Sequence, residues 1–522
     1  MSQKVKFLNE EQENHAIIMD SILTNNFYAI DYSETGAGKT HIASYLIDSF
    51  KIKNVIVICP NGIVETWKGV KNKYNLPILD IIPYTTLASK AGKEKDRILK
   101  HGLLRRVDLI DDKNKISNFY PTKKFMDLLD DQLLLIADET HHVKNDNIYF
   151  KALSTLTREM SKNPRLNRIL LLSGTLAERS EETARYMYLL GEINYPYLYT
   201  YNKGNYFPYG YQELVDMSFN IDKTMTDDIL ESHEGDGIPD MYANVAEDLF
   251  SETILTTYGD AMVPKHKGID YNLICDIKDE ETKENIGIAL EMIKSAVGYN
   301  EKDPSKKKSF VDWGEYSRGM SLLQLYKSES VVDISAAMLK KYPNCKVVCW
   351  SFYHDSLDKM EELFINKYPR LLGNRKELLK LHGKVPMGDR KDITLKFQKA
   401  NLDNRVLIIN PQVGGEGINL DDIDGGFPRF SFYLPTHRMM LLKQARGRFD
   451  RQTTRSIPRF CVVYSNIATT EAAILKNLTK KGEVMKKIHK IHVESGIVFP
   501  NDYPEISEEA FKEKQFGFKI DK

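Results

Sequence analysis

The chain has 522 residues, of which 42% are hydrophobic and 28% charged, a composition typical of a globular protein. This length exceeds what one ordinary core supports, so two or three domains are expected. Lysine plus arginine and aspartate plus glutamate both number 73, so any binding to a polyanion requires a local groove. No apolar run approaches the roughly 18 residues of a membrane span, and the N-terminus lacks a signal-peptide core. We expect an intracellular, soluble protein with no membrane partner.

Five cysteines are scattered along the chain, and three of them lie inside apolar runs of strand type. This spacing predicts buried thiols and argues against both disulfides and a zinc site. The five are Cys59, Cys275, Cys345, Cys349 and Cys461.

Near the start of the chain, a strand-like run at 27–30 and a helical pattern at 41–50 flank the sequence SETGAGKT at 33–40. Upstream, residues 1–26 predict a polar lead-in and one helix that carries Gln12. A strand, a glycine-bearing loop and a helix in this order are typical of a phosphate-binding loop. An ordinary turn before a helix is the alternative, because the chain has serine where the strict pattern begins with glycine.

Four residues of this loop have the chemistry that a nucleotide requires. Gly36 and Gly38 allow backbone N–H groups to turn toward phosphate oxygens at the positive end of the helix. Lys39 is placed to reach the β- and γ-phosphates, and Thr40 is placed to offer a hydroxyl to Mg²⁺. The loop therefore predicts a site for ATP with Mg²⁺.

Beyond the loop, apolar runs of strand type alternate with helical patterns at 54–60, 78–87, 131–137 and 168–172. Such alternation predicts a doubly wound α/β sheet, whose ligands collect at the carboxyl ends of its strands. The charged segment 90–124 is expected to be an elaborated surface connection.

Two of these strands deliver polar side chains at their tips. Asp138 and Glu139 follow the run at 131–137, where two carboxylates are unfavourable unless a cation is present. Asp138 is suited to hold Mg²⁺ through its water shell, and Glu139 to orient and deprotonate the attacking water. An acidic helix cap is the alternative interpretation. Ser173 and Thr175 could link the nucleotide site to a polymer track through hydrogen bonds that change partners.

The region 181–332 shows no α/β alternation and is dense in tyrosine. The tyrosines either fill a small helical core, which we favour, or stack on exposed bases. A second α/β series follows at 345–434, with strands expected at 345–351, 378–381, 405–410 and 430–434. This half has no phosphate loop, so it is not a second nucleotide-binding unit of the same kind.

A helix is predicted to carry the sequence QARGRFDR at 444–451. Arg448 and Arg451 are expected to share one helix face, from which they could complete a nucleotide site across a cleft. An arginine inserted at the transferring phosphoryl group raises turnover by roughly 10³ to 10⁵ in related chemistry. A solvated or salt-bridged basic helix is the alternative.

In their order along the chain, five stretches resemble the motifs of the two-lobed motor of superfamily 2 helicases and translocases. They are the loop at 33–40, DETH at 138–141, SGT at 173–175, GGEGINL at 414–420 and QARGRFDR at 444–451. The sequence DETHHVKN at 138–145 and the stretch at 414–420, together with Cys59, Pro60 and Trp67, are similar to the Swi/Snf-type branch. The stretches 33–37, 255–258 and 452–454 depart from the pattern of that branch. A composition rich in Lys, Ile and Asn would suit a phage or a large DNA virus.

The resemblance implies an α/β fold of two tandem RecA-like parallel-sheet lobes with a mainly helical insertion between the motor motifs. We expect ATP-binding lobe 1 at 1–190, the insertion at 191–330, lobe 2 at 331–495 and a charged C-terminal tail at 496–522.

The resemblance also implies a role for each matching residue. ATP would be bound by Gln12, at its adenine, and by Thr35, Gly36, Ala37, Gly38, Lys39 and Thr40, with Mg²⁺ at Thr40 and Asp138. Catalysis would involve Glu139, Gln444, Arg448 and Arg451, and coupling would involve Ser173, Thr175 and Glu416. The nucleic-acid track would be lined by Pro60, Thr86, Ser351, His382 and Gly414.

We therefore expect a nucleic-acid-dependent ATPase that hydrolyses ATP in the cleft between its lobes and moves along nucleic acid, with duplex DNA preferred. One alternative is a helicase that separates strands of DNA or RNA. A second is an ATP-gated module that binds nucleic acid or a polymerase with little turnover. The sequence identifies neither a protein partner nor the direction of movement.

Overall fold

The chain divides into two compact units, one of residues 1–264 with 483–493 and the other of residues 265–482 with 494–522. The expected tail at 496–522 lies outside the described residues. The computed structural model describes residues 5, 7, 9–89, 96–111, 114–262, 268–275, 277, 279–297, 299–300, 303–307, 312–414, 418–434, 436, 438–451, 453–465, 481–485 and 487–488.

A parallel sheet forms the centre of the first unit. The strands of this unit are β1 (Tyr28–Asp31), β2 (Asn54–Cys59), β3 (Ile78–Pro83), β4 (Asp96–Ile98), β5 (Leu104–Asp111), β6 (Asn114–Pro121), β7 (Leu133–Asp138), β8 (Arg168–Leu172), β9 (Thr200–Asn202), β10 (Asn205–Phe207) and β11 (Gly259–Asp260). Six of them pair in parallel in the order β11-β1-β8-β7-β2-β3. Alternate residues of β2 belong to two different cores, Ile56 and Ile58 to one and Val55 and Val57 to the other. Both faces of the sheet are therefore covered, which explains its continuous apolar runs.

Helices cover this sheet and continue into the region after β8. They are α1 (Glu10–Asn25), α2 (Lys39–Phe50), α3 (Val64–Tyr74), α4 (Tyr84–Leu87), α5 (Lys123–Leu129), α6 (Ile148–Met160), α7 (Glu181–Leu190), α8 (Tyr209–Ile221), α9 (Lys223–Ser232), α10 (Asp240–Leu249) and α11 (Thr256–Tyr258). Short 3-10 turns occupy Asn61–Ile63 and Thr140–Val143, and a π-helical stretch occupies Phe250–Leu255.

The segment after α4 differs from the expected surface connection, because β4, β5 and β6 form a three-stranded antiparallel sheet. Arg106 and Asp108 lie on its buried face, with Arg106 Nε 2.9 Å from Asp108 Oδ1. The same guanidinium donates to the backbone oxygens of Ala88 and Ser89 at 2.8 Å each. Two charged residues at inward positions hide the alternation by which a strand is usually identified.

The region after β8 is mainly helical, as predicted. Tyr186 and Tyr211 are buried in the core of the first unit, which agrees with the favoured interpretation of the tyrosines. Tyr201 and Tyr209 are instead 63% and 50% exposed on and beside the β9–β10 hairpin.

A second parallel sheet forms the centre of the second unit. Its strands are β12 (Ile269–Cys275), β13 (Tyr299–Asn300), β14 (Asp303–Lys307), β15 (Lys346–Trp350), β16 (Leu379–Leu381), β17 (Val406–Ile409), β18 (Arg429–Tyr433) and β19 (Arg459–Ser465). Six of them pair in parallel in the order β12-β19-β18-β15-β17-β16, and β13 and β14 form a hairpin. Its helices are α12 (Glu280–Val297), α13 (Trp313–Lys341), α14 (His354–Lys367), α15 (Met387–Gln398), α16 (Pro411–Gly414) and α17 (Met439–Arg446), with a 3-10 turn at Pro369–Leu371. The predicted α/β class with two parallel-sheet lobes and a helical insertion is confirmed.

Four of the five cysteines, Cys59, Cys345, Cys349 and Cys461, are buried free thiols, as predicted. The side chain of Cys275 lies outside the described part of the structure. Within the described residues, no group of three or more His, Cys, Asp or Glu side chains could hold a metal ion. No helix in the described ranges combines the length and the apolar character that crossing a membrane requires.

Candidate nucleotide site and nucleic-acid track

The loop at 33–40 connects β1 to α2, and its lysine folds back onto the loop itself. Gly36 and Gly38 have φ values of +90° and +108°, the left-handed region in which glycine is strongly favoured. Lys39 is 8% exposed, and its Nζ donates to the backbone oxygens of Ser33 at 2.8 Å and Glu34 at 3.2 Å. The ammonium is therefore held by two carbonyl dipoles, which a phosphate group, with its full negative charge, can replace.

Gln12, the residue expected to contact adenine, lies against the same loop. Its side chain is 1% exposed, and Nε2 donates to the backbone oxygen of Ala37 at 2.9 Å. A Cβ atom built on Gly38 would lie 2.5 Å from that Nε2, so a larger residue would displace the Gln12 amide in addition to straining the backbone at φ +108°. The structure thus places Gln12 beside the predicted phosphate site and gives it a role in holding the loop.

The residues Ser173 and Thr175, predicted to couple the site to a track, are packed beside the loop. The N–H of Ser173 donates to the backbone oxygen of Asp31 at 3.0 Å, and the N–H of Thr175 donates to Ser173 Oγ at 3.2 Å. A Cβ atom on Gly174 would lie 2.9 Å from the backbone nitrogen of Thr35. Any shift of the phosphate loop must therefore be accommodated by this turn.

Asp138 ends β7 with a carboxylate that is held by neutral donors. Its Oδ2 accepts from the indole N–H of Trp67 at 2.9 Å, and its Oδ1 accepts from the Glu139 N–H at 2.9 Å. Burial, with the charge of Glu139 next, raises the pKa of Asp138 to about 7, although Trp67 and Lys39 oppose the rise. A buried carboxylate of this kind becomes favourable as an anion when a divalent cation is bound.

Glu139, the proposed base, has an unusual backbone conformation. Its φ and ψ are both 53°, a left-handed geometry that costs a non-glycine residue on the order of 1–3 kcal/mol. The phenol of Tyr84 donates to the backbone oxygen of Asp138 at 3.0 Å, and His141 Nδ1 lies 3.4 Å from Glu139 Oε2. Strain maintained by buried neighbours is typical of a functional position.

These residues fit a magnesium nucleotide. The Thr40 hydroxyl and the Asp138 carboxylate are the hard oxygen ligands that Mg²⁺ prefers. Lys39 begins α2, so its charge and the helix N-terminus act on the same anion. The first unit thus brings the phosphate loop to the carboxyl end of β1, and Asp138 and Glu139 to the carboxyl end of β7, on the two sides of β8.

Three residues that support the site were not assigned a role from the sequence. Trp67 holds Asp138, Tyr84 holds the turn before Glu139, and His15 lies behind the phosphate loop. Trp67 was noted in the sequence only as part of the resemblance to the Swi/Snf-type branch, and Tyr84 only as part of the apolar run at 78–87. His15 carried no signal, because its partners lie far from it in the sequence.

His15 is 3% exposed and lies between two carboxylates. Its Nδ1 is 2.8 Å from Asp260 Oδ2, and its Nε2 is 3.3 Å from Asp31 Oδ1. Burial alone would lower the pKa of His15, but the hydrogen bonds and charges of Asp260 and Asp31 raise it to about 9. The protonated imidazole in turn lowers the pKa of Asp31 against its own burial. The group is therefore a buried, charged network.

The raised pKa of His15 predicts that the first unit loses stability at alkaline pH. The folded state binds the proton more tightly than the unfolded state, whose pKa is 6.5. The stabilisation is complete below pH 6.5 and is lost as the pH rises through about 9, a loss of about 3 kcal/mol. The measurement is the thermal midpoint at several pH values between 6 and 10. In Asp260→Asn the decrease should begin at lower pH, and an unchanged pH profile in that variant would contradict the account.

The second unit brings Arg448 and Arg451 together, but not on a helix. The predicted helix at 444–451 is wrong in its extent, because α17 ends at Arg446 and Gly447 caps it. Both arginines lie in the turns that follow, and each donates to the backbone oxygen of Ile418 at 3.3 Å. Gln444 remains in α17 and is 2% exposed.

The predicted track residues follow neighbouring strands in each unit. Pro60 follows β2, and Thr86 lies in the short helix α4 directly after β3. A 3.0 Å hydrogen bond from Asn61 to Thr85 joins these two connections. In the second unit, the three residues Ser351, His382 and Gly414 follow β15, β16 and β17, which pair side by side. In each unit, the predicted track residues therefore lie at the carboxyl ends of neighbouring parallel strands.

Gln324 of α13 supports this edge in the second unit and was not found from the sequence. Its Oε1 accepts from Ser351 Oγ at 2.8 Å and from the Phe352 N–H at 3.0 Å. Glu416, predicted to act in coupling, lies outside the described residues.

Comparison with known proteins gave no matching family model. Among curated proteins, the chain is similar to the putative ATP-dependent RNA helicase L364 of Acanthamoeba polyphaga mimivirus. The two are 22% identical over 477 residues, which cover 90% of this chain and 81% of that protein. Among solved structures, it is similar to the Sulfolobus solfataricus SWI2/SNF2 ATPase core in complex with dsDNA. That match has 13% identity, covers 94% of this chain and 99% of the other, and has a TM-score of 0.32.

Proposed function

We propose that this chain, which belongs to the superfamily 2 helicases and translocases, is an ATP-driven motor that moves along duplex DNA. The observation that carries the proposal is the nucleotide site of the first unit. There Lys39, Asp138 and Glu139 combine a phosphate cradle, a buried carboxylate and a strained, positioned base. These are the parts that ATP hydrolysis requires.

Hydrolysis begins when the γ-phosphate replaces the carbonyls of Ser33 and Glu34 as the partner of Lys39. Thr40 and Asp138 would hold Mg²⁺, which would supply positive charge at the phosphate oxygens. The fixed backbone of Glu139 positions its carboxylate, which orients the attacking water and accepts a proton from it.

Arg448 and Arg451 complete the reaction by leaving the Ile418 carbonyl for the nucleotide. The two guanidinium groups stabilise charge on the transferring phosphoryl group, and departure of the anionic phosphate product releases them. Support for this step comes from their convergence on one carbonyl, a weaker partner than a phosphate. Repetition of this exchange moves one unit relative to the other and advances the motor by one step.

Duplex DNA is proposed as the track because the motifs at 138–145 and 414–420 are similar to the Swi/Snf-type branch. A strand-separating RNA helicase is the second candidate, because the mimivirus relative is named as an RNA helicase. The two candidates share one hydrolytic centre and differ in the polymer that stimulates it.

The test is steady-state ATP hydrolysis by the full chain, alone and with duplex DNA, single-stranded DNA or RNA. Stimulation by duplex DNA above the other polymers is expected. Preferential stimulation by RNA would favour the second candidate instead. ATP binding without hydrolysis in all conditions would overturn both, and would leave the ATP-gated binding module.

A further inference from the structure

We propose that His15 is a positioning residue that joins the phosphate loop to residues 259–262, so that nucleotide binding at the loop is transmitted to the chain leading into the second unit. We call residues 259–262 the exit segment, because the second unit begins a few residues later. The inference rests on the proposed function in one respect, that the site binds ATP.

The exit segment runs beside the phosphate loop rather than only beside the sheet. Its first residues form β11, the parallel neighbour of β1 at the edge of the sheet. Beyond β1, the N–H of Tyr32 donates to the backbone oxygen of Asp260 at 3.2 Å, and the N–H of Glu34 donates to the backbone oxygen of Met262 at 3.1 Å. The N–H of Met262 donates to Ser33 Oγ at 2.8 Å. The first two residues of the loop, Ser33 and Glu34, are therefore hydrogen-bonded directly to the exit segment.

His15 ties these two strands together from a third element, helix α1. One ring nitrogen contacts Asp260 of the exit segment at 2.8 Å. The other contacts both Asp31 Oδ1 at 3.3 Å and Ser33 Oγ at 3.2 Å. A protonated imidazole donates from both nitrogens, so it can bridge two carboxylates on separate strands. The ring is 3% exposed, which keeps these charges out of water and strengthens their attraction.

Ser33 also connects this network to Lys39, the lysine predicted to bind phosphate. The Ser33 carbonyl accepts from Lys39 at 2.8 Å, while the Ser33 hydroxyl accepts from Met262. The Glu34 carbonyl accepts from Lys39, while the Glu34 N–H donates to Met262. When Lys39 turns to a phosphate, both residues lose their cationic partner and both are already bonded to the exit segment. The network holds that segment in register so that it follows the loop.

A purely structural role for the network predicts a different outcome. In that case loss of one carboxylate would lower the stability of the first unit and leave the response of the exit segment to nucleotide unchanged. The Asp260 side chain is 29% exposed, so its substitution by asparagine leaves His15 paired with Asp31 and does not bury an unpaired charge. This makes Asp260→Asn a better first variant than a change at His15 itself.

The first experiment follows hydrogen exchange of the exit-segment amides with and without a non-hydrolysable ATP analogue and Mg²⁺. In the wild type, we expect the analogue to change the exchange rate of the Met262 and Asp260 amides by about tenfold. In Asp260→Asn, that response should fall to about twofold or less, while the analogue still binds. Asp260→Glu should restore it, and Asp131→Asn, which alters an exposed ion pair with Lys53, is the matched control.

Two outcomes would overturn the inference. One is an exit segment in the wild type whose exchange does not respond to the analogue although the analogue binds. The other is an Asp260→Asn variant that loses thermal stability but keeps the full response.

A second readout separates this inference from the proposed function. We expect Asp260→Asn to lower kcat of the polymer-stimulated ATPase about tenfold with little change in KM for ATP. If no polymer stimulates the wild type but the exchange response is intact, the motor function fails and the positioning role stands. If stimulation by polymer is equal in the wild type and Asp260→Asn, the positioning role fails and the motor function stands.

Discussion

Replacing Glu139 with glutamine should lower kcat for ATP hydrolysis about 10³-fold while ATP remains bound, because the amide cannot accept the proton of the attacking water. Glutamine keeps the length and shape of the side chain, so the left-handed turn after β7 is retained. The measurement combines single-turnover hydrolysis with equilibrium binding of a fluorescent ATP analogue.

The matched control for this variant is Glu65→Gln, a surface glutamate whose side chain is 81% exposed beside Lys68. Its turnover should equal that of the wild type. Hydrolysis by the Glu139 variant at an undiminished rate would show that another group is the base, and our assignment of the β7 turn would be wrong.

Replacement of Arg451 or Arg448 with alanine should lower turnover about 10³-fold, because each arginine is proposed to stabilise the charge of the transferring phosphoryl group. ATP binding by the first unit should change little, since Arg448 and Arg451 both belong to the second unit. Lysine at either position should restore only a small part of the rate, because it lacks the planar fork of guanidinium donors. The measurement is kcat and the affinity for ATP in parallel.

Arg455→Ala serves as the control for the arginine variants, because this residue lies nearby in the sequence and its side chain is exposed. Arg448 is only 4% exposed, so the thermal midpoint of each variant is also required. Turnover that falls only in proportion to the folded fraction would assign both arginines to the structure of the second unit and remove them from the reaction.

Much of the fold was predictable because its strands are buried on both faces. The sequences of β2, β7 and β8 contain almost no polar residues, because side chains on both faces of these strands are buried. β5 was missed because Arg106 and Asp108 neutralise each other on its inner face, so two of the charges that suggested a surface loop are internal. The end of α17 was missed because the helical pattern continues past Gly447, while the backbone does not.

The candidate site was predictable wherever its chemistry is local in sequence. Lys39 and Thr40 are recognisable from eight consecutive residues, and Asp138 and Glu139 from the strand before them. The residues that hold these groups could not be predicted in this way. Trp67 lies 71 positions from Asp138, and His15 lies 245 positions from Asp260. Their contacts depend on strand order, which hydrophobic periodicity does not report.

ATP-driven movement along duplex DNA can be measured as displacement of a triplex-forming strand from a long duplex. We expect the wild type with ATP and Mg²⁺ to displace the third strand without separating the duplex, after a delay that grows with the distance between entry site and triplex. Glu139→Gln and a non-hydrolysable ATP analogue should both give no displacement. Displacement that is independent of duplex length, or that requires a single strand or RNA, would contradict movement along duplex DNA.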